Sequence, residues 1–164
     1  MSIFPTKILL CVDGSREATL AAQTAAKIAE ETGSELHVVY VRRRRRVPPH
    51  PGDYVGPEVA EHRLQREAEL LEREGLQLLD AQVAQIEAAG SSVAQAHLQE
   101  GKPDREIVTL GEELGAGLIV VGSRGRGGLR RALMGSVCDS VVRHAHCPVL
   151  VVRKEKSMQQ NHPA

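Results

Sequence analysis

Residues 122 to 137, GSRGRGGLRRALMGSV, hold five glycines and four arginines between an apolar run, Leu118-Ile119-Val120-Val121, and an amphipathic segment starting at Val137. That order reads as strand, loop, helix. Glycines let backbone N–H groups approach a ligand closely, Ser136 offers a hydroxyl at the helix start, and a helix N-terminus carries partial positive charge, a combination that suits phosphate. Arg124, Arg126, Arg130 and Arg131 add full charges. Taken alone, a loop rich in Gly and Arg is equally an exposed connection.

The rest of the chain alternates in the same way. Lys7 to Val12 is an apolar run, followed by Asp13-Gly14-Ser15 and by an alanine-rich helical pattern whose stripe is Ala18, Ala21, Ala22, Ala25, Ile28 and Ala29, with Gly33 just past its end. LHVVYV, Leu36 to Val41, is nearly continuous in apolar character, as expected of a strand buried on both faces of a parallel sheet. Glu58 to Ala89 predicts a long helix, with Gly75 as a place where it could kink, and Ser92 to Gln99 a third, edge strand. Pro103 suits the first turn of a helix running to Leu114, Leu118 to Val121 is the fourth strand, and Val137, Val141, Val142 and Ala145 form the apolar face of a last helix. PVLVVR, Pro148 to Arg153, closes the pattern as a fifth strand. These alternations predict an α/β fold, a doubly wound, mostly parallel five-stranded sheet flanked by helices.

In open sheets of this kind ligands bind beyond the carboxyl ends of the strands, which is where Asp13 and Gly122 fall. Asp13 or Ser15 capping the first helix is an equally open reading. Arg42 to Arg46 is a run of five arginines leading into a loop with four prolines, and five like charges in a row are expected to be solvated. His144, His146 and Cys147 do not match zinc spacing, so a charge at a helix end and a buried thiol are expected there. Cys11 and Cys138 likewise fit as small buried hydrophobes.

A chain of 164 residues predicts one domain over 1–154, with a polar, aperiodic tail at 155–164 that reads as disordered. The 21 basic and 21 acidic side chains give a formal net charge of zero, and aromatic residues are few, which argues against a nucleic-acid surface. No apolar stretch is long enough to span a membrane and no signal peptide is apparent, so a cytoplasmic protein is expected.

Competing nucleotide motifs fail: no G-x4-G-K-(S/T) occurs, and Gly122-Ser123-Arg124-Gly125 breaks the dinucleotide fingerprint. The spacing Gly122-x2-Gly125-x9-Gly135-Ser136 instead resembles the ATP-binding signature of the universal stress protein family. The opening KILLCVDGS and the closing GSVCDSVVRHAHCPVLVVR extend the resemblance over about residues 5 to 154. It implies strand order 3-2-1-4-5 and a homodimer through Pro148 to Arg153. It also implies ATP as ligand, with Gly122, Gly125, Gly135, Ser136 and Val137 at the phosphates and Asp13 and Val41 at the nucleoside. Any Mg2+ would be held mainly by the phosphates. Binding as a stress signal is the expected use. A nucleotide-independent dimeric interaction module and a slow ATP hydrolase remain open.

Overall fold

Lys7–Val12 forms the first strand, β1, because Ile8, Leu9 and Leu10 are all sealed from solvent and must be covered on both faces. The computed structural model describes residues 6–44, 52, 56–124 and 134–154. The remaining elements are α1 (Arg16–Thr32), β2 (Glu35–Arg42), α2 (Pro57–Ala88), β3 (Gln95–Glu100), α3 (Pro103–Leu114), β4 (Leu118–Gly122), α4 (Ser136–His144) and β5 (Val149–Val152). The five strands found among the described residues make one parallel sheet in the order β3-β2-β1-β4-β5. This is the order that the resemblance implies. The expected tail, 155–164, lies outside the described residues.

The sheet is covered on both sides, and the alternation along its strands decides which residue goes where. Ile8, Leu10, Val38 and Val120 face α1 and α2, whereas Leu9, Val39, Ile119 and Val121 face α3 and α4. Full burial of an aliphatic side chain of this size is worth about 1.5–3 kcal/mol, so the three central strands are the best anchored part of the molecule. Functional groups at their ends inherit that rigidity.

Helix boundaries follow local chemistry. Ser15 caps α1, its Oγ accepting the Ala18 N–H at 3.1 Å, and Gly33 ends the helix in the left-handed conformation at φ 66°. The buried stripe uses Ala26, with Ile28 only partly covered, and its six alanines let the helix lie close to the sheet.

The long helix expected at 58–89 is present, and two other sequence expectations need correction. α2 runs unbroken through Gly75, whose missing side chain makes room for the sheet: a Cβ there would lie 3.0 Å from Leu98 Cδ1 and 3.6 Å from Tyr40 Cε1. β3 begins at Gln95 rather than Ser92, since pairing with β2 starts at His37↔Gln95 and the Ala94 N–H reaches the Leu36 carbonyl only just before it. In α4 the buried positions are Cys138 and Val141, while Val142 is exposed, because the helix starts at Ser136 and turns the 138/141 pair inward.

Candidate functional site

The strand order reverses between β1 and β4, and the carboxyl ends of the strands around such a point are where open α/β sheets form a ligand crevice. At the end of β1, Asp13 is half-buried and its Oδ1 accepts the Ser15 N–H at 2.9 Å, while Gly14 takes φ 78° to turn the chain into α1. Of the two residues considered for the cap, Ser15 supplies it and Asp13 braces the turn before it.

The end of β4 touches the start of α1. A Cβ on Gly122 would meet Glu17 Cβ at 2.9 Å, the Glu17 carbonyl carbon at 3.0 Å and the Ala18 nitrogen at 3.2 Å. Gly122 is thus required by packing. Next to it Ser123 is buried, its N–H donating to the Val152 carbonyl at 2.8 Å and its carbonyl accepting the Gly135 N–H at 2.7 Å. Gly135 is the N-cap of α4 at φ −69° and ψ 159°, and as glycine it brings no side chain of its own to the first turn. Ser136 and Val137 follow in that turn. Gly125 lies outside the described residues, as do Arg126, Arg130 and Arg131.

β2 runs further than its neighbour. Its pairing with β1 stops at Val12↔Tyr40, yet Val41 and Arg42 remain paired with Gln99 and Glu100 of β3, so two residues of β2 overhang the end of β1. Val41 therefore borders the crevice at backbone level. The expectation of a solvated arginine run fails for Arg42, whose side chain is only 15% exposed. Its guanidinium forks between the Glu100 carboxylate and the Ala68 carbonyl of α2, the latter at 3.2 Å, and Arg44 reaches the same carboxylate at 3.2 Å. The strand end puts Arg42 beside Glu100 in register, a long-range pairing with no local signal in the sequence. Arg45 and Arg46 lie outside the described residues.

The cysteines are not poised for chemistry. Burial, reinforced by the Asp13 carboxylate, pushes the Cys11 thiol up, and burial likewise raises Cys138 and Cys147. A thiol held protonated is a poor nucleophile. His144 Nδ1 lies 2.8 Å from the Ser140 carbonyl and His146 Nε2 lies 2.6 Å from Glu112 Oε1, so the two histidines contact the helix end and a neighbouring carboxylate. Among the described residues no group of three or more His, Cys, Asp or Glu is arranged to hold a metal ion. No described helix is long and apolar enough to cross a membrane.

Two cavities lie away from the crevice. One, of about 310 Å3, is bounded by Val108, Glu112, Ile119, His146 and Cys147 at the amino ends of β4 and β5. The other, of about 120 Å3, separates α1 from α2. Neither adjoins the strand ends that collect Asp13, Val41, Gly122 and Gly135.

Comparison with known proteins agrees with the fold. The profile of the universal stress protein family matches residues 5–153. The chain is 39% identical over 150 residues to Universal stress protein MJ0531 of Methanocaldococcus jannaschii, covering 92% of this chain and 83% of that one. Among solved structures it resembles the hypothetical protein MJ0577, with a TM-score of 0.73 and 26% identity over 93% of this chain and 98% of the other. A universal stress protein in complex with cAMP matches with a TM-score of 0.62 and 23% identity, over 91% and 97% of the two chains. One from Archaeoglobus fulgidus in complex with dAMP matches with a TM-score of 0.58 and 24% identity, over 92% and 98%.

Proposed function

The chain belongs to the universal stress protein family, and on that premise we propose that it binds ATP at the carboxyl ends of β1, β2 and β4 and uses the bound nucleotide as a signal in a stress response. One observation carries this reading: α1 and α4 both begin at the crevice, yet only α1 satisfies its first turn with its own cap. Ser15 Oγ takes the Ala18 N–H, whereas Gly135 brings no side chain to the N–H groups of Ser136, Val137 and Cys138. First-turn donors left without a cap side chain at the positive end of a helix favour an anion, and a nucleotide phosphate is one that they fit.

In this reading Gly122, Gly125, Gly135, Ser136 and Val137 hold the phosphates, and Asp13 and Val41 hold the nucleoside. The sequence reading omitted Cys138, whose N–H shares the uncapped turn. Fold-mates complexed with cAMP and dAMP support an adenine nucleotide as ligand; at 23% and 24% identity they speak for the fold. Bound ATP supplies a charge and a shape that a partner can read. Asp13, which follows the end of β1, is the carboxylate assigned to the nucleoside, and its Oδ1 is already engaged by the Ser15 N–H. Any Mg2+ would accordingly rest mainly on the phosphates, and hydrolysis, which wants a group to position water, would be slow.

Titration calorimetry with ATP, AMP and GTP tests the reading, together with mass spectrometry of ligand released from denatured, freshly purified protein. Saturable ATP binding is expected. Absence of binding by every adenine nucleotide would instead favour a nucleotide-independent interaction module.

A further inference from the structure

We infer that Arg42 is a positioning residue for the nucleoside end of the proposed site: it clamps the overhang of β2 to α2 and β3 and so fixes the Val41 backbone. The inference rests on the ATP-binding reading above. It begins with the overhang itself, since beyond Tyr40 the strand has lost its β1 partner and keeps only β3. A two-residue strand end supported on one edge frays unless something else holds it.

Arg42 supplies that hold from three directions. Its carbonyl accepts the Gly101 N–H at 3.0 Å, its Nη2 meets the Glu100 carboxylate, and its Nη1 donates to the Ala68 carbonyl at 3.2 Å. Strand alternation puts Arg42 on the same face as Leu36, Val38 and Tyr40, the face covered by α2. Gly75 seats α2 on Tyr40 and Leu98, and the Arg42 fork grips the same helix two turns earlier. The planar guanidinium suits this task, because its rigid fork presents pre-organised donors to a carboxylate and a carbonyl at once. Val41, the next residue back along the strand, then has its peptide planes set by a paired neighbour on each side. Arg42 lies on the α2 face of the sheet, opposite the face on which α4 packs, so it would act on the base and equally on every ligand that carries it.

Arg42→Met keeps the apolar stem and deletes the fork. Calorimetry on the folded parent and variant is expected to show ATP and adenosine weakened by the same factor, about three- to tenfold, with the preference for ATP over GTP narrowed. Loss confined to ATP would overturn the inference by making Arg42 a phosphate contact, and unchanged affinities would overturn it too. A purely structural contribution lowers the melting temperature without altering affinity measured well below it. Should the methionine variant fail to fold, Arg42→Lys retains the charge toward Glu100 and is expected to give an intermediate, equal loss for both ligands. Amide hydrogen exchange reads the clamp without ligand: faster exchange at Val41 and Gly101 in Arg42→Met is expected, and unchanged exchange overturns it. Failure of the parent to bind any adenine nucleotide would reject the functional reading, and the exchange result would still decide the clamp.

Discussion

The Gly135 N–H donates to the Ser123 carbonyl at 2.7 Å, so the chain that leaves the end of β4 returns to the same point before α4 begins. Ser123 is itself fastened to β5 through the Val152 carbonyl. The uncapped end of α4 is therefore fixed relative to the sheet, whatever ligand it meets.

Gly135→Asp separates stability from binding. Gly135 already has the extended conformation of an N-cap, at φ −69° and ψ 159°, which aspartate adopts without strain and in which its carboxylate takes the first-turn N–H groups. Urea denaturation is expected to show stability unchanged or raised by a few tenths of a kcal/mol. ATP affinity is expected to fall at least about tenfold, or 1.4 kcal/mol, because the same donors are occupied and a negative charge faces the phosphates. A variant that binds ATP as the parent does would remove α4 from the site.

Gly122→Ala should behave oppositely, losing stability first. Its methyl would approach backbone and Cβ atoms of Glu17 within about 3 Å, and neither can swing aside as a side-chain tip could. Overpacking of this kind costs about 1–3 kcal/mol. The urea midpoint is expected to drop accordingly, and a midpoint equal to the parent's would show that β4 and α1 can part without cost.

β5 is an edge strand whose four residues are all half-exposed valines or leucine, and its pairing with a second copy is the proposed homodimer contact. The Pro148 and Val152 carbonyls point to β4, so by alternation Val151 turns its backbone to the open edge. Val151→Pro deletes an edge N–H without touching the ladder to β4. Sedimentation should show a dimer for the parent at micromolar concentration and a monomer for the variant; a monomeric parent would end the proposal.

Most of the architecture was legible because each element carries its own local signal. Ser15 and Gly33 mark the two ends of α1, Pro103 opens α3, and the apolar runs of β1, β2 and β4 announce strands buried on both faces. What escaped were features decided by contacts distant in sequence. Gly75 looks like a place for a kink until Leu98 packs on it, and Arg42 looks solvated until register brings Glu100 alongside. Within the site the glycine spacing was visible, but the packing demand on Gly122 came from Glu17, a residue more than a hundred positions away with no motif to announce it.

The same blindness to register hid a histidine pair at the β2–β3 edge, and it has a pH signature. His37 Nδ1 lies 3.1 Å from His97 Nε2, the rings are within 22° of parallel, and His37 Nε2 lies 3.3 Å from Glu35 Oε2. With both rings neutral one arrangement satisfies every contact: His97 donates to His37, and His37 donates to Glu35. A proton added to each ring leaves two N–H groups facing one another. Burial, and secondarily the neighbouring His37, lowers the His97 pKa below its ordinary 6.5. For a depressed pKa the unfolded chain binds protons first, so the contribution to stability is complete above pH 6.5 and is lost as pH falls through the folded value. The urea midpoint is therefore expected to decline between about pH 7 and pH 5. In His97→Gln, whose amide can still donate to His37 but does not titrate, that part of the decline should disappear while the midpoint at pH 7 stays within about 1 kcal/mol of the parent's. An identical slope in parent and variant would show that the pair does not govern stability in this range.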